Sequence, residues 1–289
     1  MRSVISFNSI SILKDLYKRD KKICEKFMLF WLIMMLLSNS IMSTLSSINE
    51  SNNLNLNIWD GVFRILSHPY FMLYIYIPSI LILLNPSKLL YQKYFMIRLK
   101  SKYRIIINEI IFKIICITIF SFIYIISICI LGCLYFKIQA TWSVCIMNME
   151  DTAVCSQSIY PNNFTSCFSP YTAIIINFIQ VILTVVLMDM IRGLVIDLTG
   201  SFKLSNIFIS LIILVNVILF NFAISGKIQN ILNYFLINNF VLLWDHKFDS
   251  MSFSNVTLPE SMVVLAVITI IFIVLRIAFC KGMRMIDEY

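Results

Sequence analysis

The sequence carries more uncharged apolar chain than a soluble core of its size can absorb. Residues 27–48, 70–84, 114–136, 170–190, 204–224 and 261–279 are almost free of charge. Most are near the roughly 20 residues a helix needs to cross the ~30 Å hydrocarbon core of a bilayer. In lipid every backbone polar group must be satisfied within the protein, so spans of this kind are helices. The composition agrees: the 289 residues are 60% hydrophobic and 13% charged, with a mean hydropathy of +0.87. The expected fold is all-α: a polytopic membrane protein with six transmembrane helices in a single domain over residues 1–289. The first run is too long for a signal-peptide core and lacks a small-residue cleavage site, so it reads as a retained span.

Orientation follows from the basic residues. The stretch KLLYQKYFMIRLKSKYRIIINEIIFK, residues 88–113, lies between the second and third spans and carries Lys88, Lys93, Arg98, Lys100, Lys102, Arg104 and Lys113. Short Lys/Arg-rich loops stay on the cytoplasmic side. With this loop inside, nineteen Lys and Arg are cytoplasmic and four external, which places both termini in the cytoplasm and the chain in the cell membrane. Residues 7–26 form a basic amphipathic helix, with Ile10, Leu13, Leu16 and Tyr17 opposite Lys14, Lys18, Arg19, Lys21 and Lys22, and such a helix lies in the membrane interface.

Residues 58–70 read as an external interfacial turn anchored by Trp59, and Pro78 as a kink in the second span. Residues 228–246 are interrupted by Asn230, Asn233, Asn238 and Asn239. As a seventh span they would push Arg276, Lys281 and Arg284 outside, against the charge rule. They are therefore expected to form an external amphipathic or re-entrant element.

The +8 net charge lies at the ends of apolar runs, which is a topological pattern and not a nucleic-acid-binding face. No glycine loop with its lysine is present to cradle a phosphate, and no glycine-flanked nucleophile turn. His68 and His246 are the only histidines and fall in external segments. Cys129 and Cys133 share a helical face without the neighbours that make a metal site. No catalytic, metal-binding or cofactor-binding residue is expected in this chain. Glu109 with Lys113, and Asp189 with Arg192, have the spacing of local ion pairs at the cytoplasmic ends of their spans. Of the eight cysteines, Cys145, Cys155 and Cys167 are external, and one pair among them can bridge; the spacing does not select which.

The layout, with an amphipathic N-terminal helix, six spans, a basic loop after the second and an external element before the sixth, resembles the permease subunit of a type-2 ATP-binding-cassette (ABC-2) transporter. YQKYFMIRLKSKYRIIINEI, residues 91–110, is similar to the loop of such permeases from low-GC Gram-positive bacteria. The resemblance implies export of a peptide or other amphipathic or hydrophobic substrate, or self-protection against a bacteriocin. It further implies a separate cytoplasmic ATP-binding subunit that holds the ATP, a second permease subunit, and Tyr94, Arg98, Lys100, Ser101 and Arg104 as the coupling contacts. The alternative from another class is a membrane-anchored binding or immunity protein that works without a motor.

Overall fold

The computed structural model describes residues 21–84, 102–148, 164–221, 233–243, 246–248 and 256–286. The protein is an all-α polytopic membrane protein. Among the described residues five helices are long and apolar enough to cross a bilayer, and a sixth span results if one bent helix pair counts as a single crossing.

Helix α1 (Lys21–Asn52) begins within the segment expected to be amphipathic; residues 7–20 lie outside the described residues. The chain leaves α1 through Asn53 and Asn55, both at φ 53°, a left-handed conformation that asparagine tolerates. Helix α2 (Ile58–Leu66) opens with a capping box in which Asn57 accepts from the Trp59 and Asp60 amides and Asp60 closes back on Asn57, satisfying donors a helix start otherwise leaves open.

Helix α2 was expected to be an interfacial turn. Instead, all but Trp59 and Arg64 of its residues are buried, and Trp59 is tied into the protein by a bond to the Gln139 carbonyl (2.5 Å) and an edge contact with Tyr171. The fifteen residues of the second run give only about 22 Å of helix, short of the bilayer core, and α2 adds nine residues to it across a bend. At His68 the chain turns by 53° into helix α3 (Pro69–Leu83). Pro69 cannot extend α2 and suits the first position of a new helix, and His68 caps it by accepting from the Phe71 amide.

Pro78 does not itself mark the bend. The backbone instead widens into a π turn at Met72–Tyr76, just ahead of it, where a proline removes the normal helical hydrogen bond and crowds the preceding turn.

Helix α4 (Lys102–Tyr135) starts twelve residues before the expected third span. It packs along α1 through Ser38 with Tyr124 (2.7 Å), Tyr135 with Asn39 (2.7 Å) and Trp31 with Ser127 (3.3 Å). Short helices α5 (Val144–Asn148) and α6 (Phe164–Cys167) follow. An aromatic cluster of Phe63, Trp142, Phe164, Phe168 and Phe248 closes this end of the bundle.

Helix α7 (Pro170–Thr199) is the axis of the molecule: 56% of its span is buried, against 17–28% for the other four. Ser169 caps its start, Pro170 occupies the first position, and Gly200 ends it at φ 67°, a left-handed stop suited to glycine. It runs nine residues past the expected end of the fourth span. Helix α8 (Phe202–Asn221) follows, then the short α9 (Ile237–Val241) and α10 (Leu258–Ile286).

The described part of the Asn-interrupted stretch, 233–243, enters the bundle, in agreement with the re-entrant alternative. All of α9 is buried, and the asparagines hold it there. Asn216 of α8 donates to Asn238 (2.8 Å) and accepts from the Ile237 amide (2.7 Å). Asn177 and Thr184 of α7 donate to the carbonyls of Val241 and Phe240, and Ser261 of α10 to that of Asn239. A polar side chain that breaks a hydropathy window is thus what satisfies irregular backbone at depth. No disulfide joins Cys145 to Cys167, and Cys155 lies outside the described residues.

Candidate functional site: a buried ion network

The end of the bundle where α3 stops holds six charged side chains from three helices. On α4, Lys113 Nζ bonds Glu109 Oε1 at 2.7 Å and also reaches Asp189 Oδ2 of α7 at 2.9 Å. Asp189 uses its other oxygen on Arg192, one turn on. From α10, Arg276 bonds Glu109 Oε2 through Nη2 at 3.2 Å and Asp197 Oδ2 of α7 through Nε at 2.9 Å. Every one of these side chains is at most 5% exposed. Three cations face three anions, so the cluster is neutral as a whole. A buried charge is tolerated on that condition.

Arg192 carries the network to a fourth helix. Its Nη1 donates to the Leu81 carbonyl and its Nη2 to that of Leu84 (3.1 Å). These belong to the last turn of α3, where helical carbonyls have no partner of their own and the dipole favours a cation. Gly193 makes the room that Arg276 needs. A Cβ on Gly193 would stand within about 2.6 Å of Arg276 Nε and Nη1, so the guanidinium lies flat on the backbone of α7.

Both local pairs expected from spacing are present, and each is half of something larger. Arg276 and Asp197 were not singled out by the sequence, where Arg276 served only as a topological charge. A depth signal was available: Asp189 is nineteen residues into α7 and Arg276 eighteen residues into α10. At 1.5 Å per residue both lie about 27–29 Å from the start of their helices. The two do not bond each other; their shared depth brings them into one cluster, Asp189 through Lys113 and Arg192, and Arg276 through Glu109 and Asp197. The spans therefore do carry ionisable groups, gathered at one end and neutralised there.

Of the residues expected to contact a motor subunit, Tyr94, Arg98, Lys100 and Ser101 lie outside the described residues. Arg104 is in the first turn of α4, five residues before Glu109. Among the described residues no group of His, Cys, Asp and Glu is arranged to hold a metal ion. At the opposite end, buried His246 bonds the Leu243 carbonyl through Nδ1 (2.9 Å). Burial pushes its pKa down to about 4.

The fold and this network define a polytopic helical membrane protein whose spans are cross-linked by charge at one end. No protein-family model matches the chain, and neither a curated protein nor a solved structure is found to be similar to it.

Proposed function

We propose that the chain is the permease subunit of an ABC-2-type exporter, moving a peptide or another amphipathic or hydrophobic substrate across the cell membrane with energy from a separate cytoplasmic ATPase. In this reading both termini are cytoplasmic, a second permease subunit completes the pathway, and ATP binds only to the partner. Tyr94, Arg98, Lys100, Ser101 and Arg104 form the surface the ATPase grips.

The observation that carries the reading is the continuity of α4. The helix that begins in the basic stretch bears Glu109 and Lys113, and through them it is ion-paired to α7 and α10 and, by way of Arg192, bonded to α3. A push on the first turns of α4 reaches three other helices through bonds, without relying on apolar packing that can slide. Coupling of this kind needs an element with two arrangements that both sites bias, and in this reading the buried ion network is that element.

The test is co-purification of the tagged chain from its native host, together with export assayed in the variant Arg98→Ala/Lys100→Ala/Arg104→Ala. The reading expects a P-loop ATPase to accompany the wild type and to be lost from the variant, with loss of export. Absence of any ATPase, with export or resistance unchanged in the variant, would favour the motor-free binding or immunity protein. Orientation is tested separately: a thiol introduced as Ser101→Cys should resist a membrane-impermeant maleimide in intact cells. Labelling there sinks the cytoplasmic placement.

A further inference from the structure

Between α3, α4 and α7 lies a small cavity of about 10 Å³, the volume at which a single water fits. Leu66, Met72 and Val181 supply apolar wall, and Tyr76, Ser121 and Asn177 supply polar atoms. All six are buried. The cavity arises where α3 widens: Met72 and Tyr76, which both line it, are the first and last residues of the π turn. Such turns recur at functional positions in helices.

The polar groups around it are incompletely bonded, in a complementary way. Tyr76 donates its hydroxyl to Ser121 Oγ at 2.8 Å. Ser121 therefore accepts one bond and still has its own hydrogen to give. Thr118 and Ser127 on the same helix return theirs to carbonyls four residues back, whereas Ser121 has no bond of that kind. Across the cavity Asn177 donates to the Val241 carbonyl (2.9 Å), but its Oδ1 is buried without a partner. A buried carbonyl oxygen left without a donor is costly, and a water with two to four polar partners is the usual remedy. One turn along the same helix, Gln180 is wholly buried with neither end of its amide bonded, so the polar demand on this face of α7 extends beyond one atom.

We propose that this cavity is a hydration site. One water accepts from the Ser121 hydroxyl and donates to Asn177 Oδ1. It thereby completes a relay from Tyr76 through Ser121 and Asn177 to the Val241 carbonyl, and this relay joins the π turn of α3 to α4, α7 and α9. The inference rests on local geometry and on no part of the permease reading, so either can fail alone.

The test is millisecond X-ray radiolysis of the full-length chain in lipid nanodiscs, with oxidation read by mass spectrometry. Hydroxyl radicals form from bound water and attack adjacent side chains. Met72 lines the cavity and Met34 does not, and both are wholly buried, so they are matched in chemistry and access. Met72 is expected to oxidise several-fold faster than Met34. Ser121→Ala, which removes the donor with little change in shape, should bring the Met72 rate down toward that of Met34. Equal slow rates in the wild type overturn the proposal, and so does a Met72 rate unchanged in folded Ser121→Ala. If that variant fails to fold, the wild-type comparison still decides.

Discussion

The guanidinium of Arg276 occupies the space a side chain at Gly193 would need. This contact sets how closely α10 approaches α7, and it aims Arg276 at Glu109 on one side and Asp197 on the other. Replacing Gly193 with alanine should displace the guanidinium and break both pairs. Uncoupling a buried ion pair costs about 3–5 kcal/mol, far outweighing the helix-propensity gain of about 1 kcal/mol for Gly→Ala. A thermal melt of the purified variant should show a clear fall in Tm. A Gly193→Ala protein as stable as wild type would contradict the packing described.

Glu109 and Arg276 are 167 positions apart in sequence, so their coupling is purely tertiary. A double-mutant cycle of Glu109→Gln and Arg276→Gln should give a favourable interaction energy above about 1 kcal/mol, since contacting residues in one network do not behave additively. Each single variant should be more damaging than the double one because it leaves the buried cluster with a net charge, three against two. Additive effects would mean the two side chains do not meet.

Asn216 serves two buried groups at once, the Ile237 amide and the Asn238 side chain. Asn216→Ala leaves both unsatisfied, at about 1–3 kcal/mol for each such group. The loss should be local: hydrogen–deuterium exchange should speed up across residues 237–242 while α4 and α7 keep their protection. Uniform loosening, or none, would argue against α9 being pinned from α8.

His246 predicts a pH dependence. Its folded pKa of about 4 lies below the ordinary 6.5 because burial disfavours the imidazolium. The unfolded chain therefore takes up the proton first, and stability is full above about pH 6.5 and declines as pH falls toward 4. By linkage the loss is on the order of 3 kcal/mol. Melts from pH 7.5 to 4.5 should show a downward slope that is shallower in His246→Gln. An identical slope in both proteins would assign the effect to other groups.

What the sequence determined by itself is the class of the molecule and the rough placement of its spans. Uncharged runs near 20 residues leave a chain no other way to satisfy its backbone in lipid, and that reasoning needs no knowledge of neighbours. Spacing was equally sufficient for Glu109 with Lys113 and for Asp189 with Arg192, because residues three or four apart on a helix meet wherever the helix goes.

The tertiary structure decided the rest. Residues 58–70 read as an interfacial turn because Trp59 suggests an anchor at the membrane surface, yet most of the helix over 58–66 is buried and forms a bent pair with the second run. For the stretch 228–246 the four asparagines left an external amphipathic and a re-entrant element both open; burial of Asn233, Asn238 and Asn239, with Asn238 and Asn239 bonded inside the bundle, agrees with the second. The joining of two local pairs into one network depended on Arg276 and Gly193 arriving at the same depth on different helices. Local pattern reports what a residue costs in lipid when alone, and only the packed bundle supplies the partner that removes the cost.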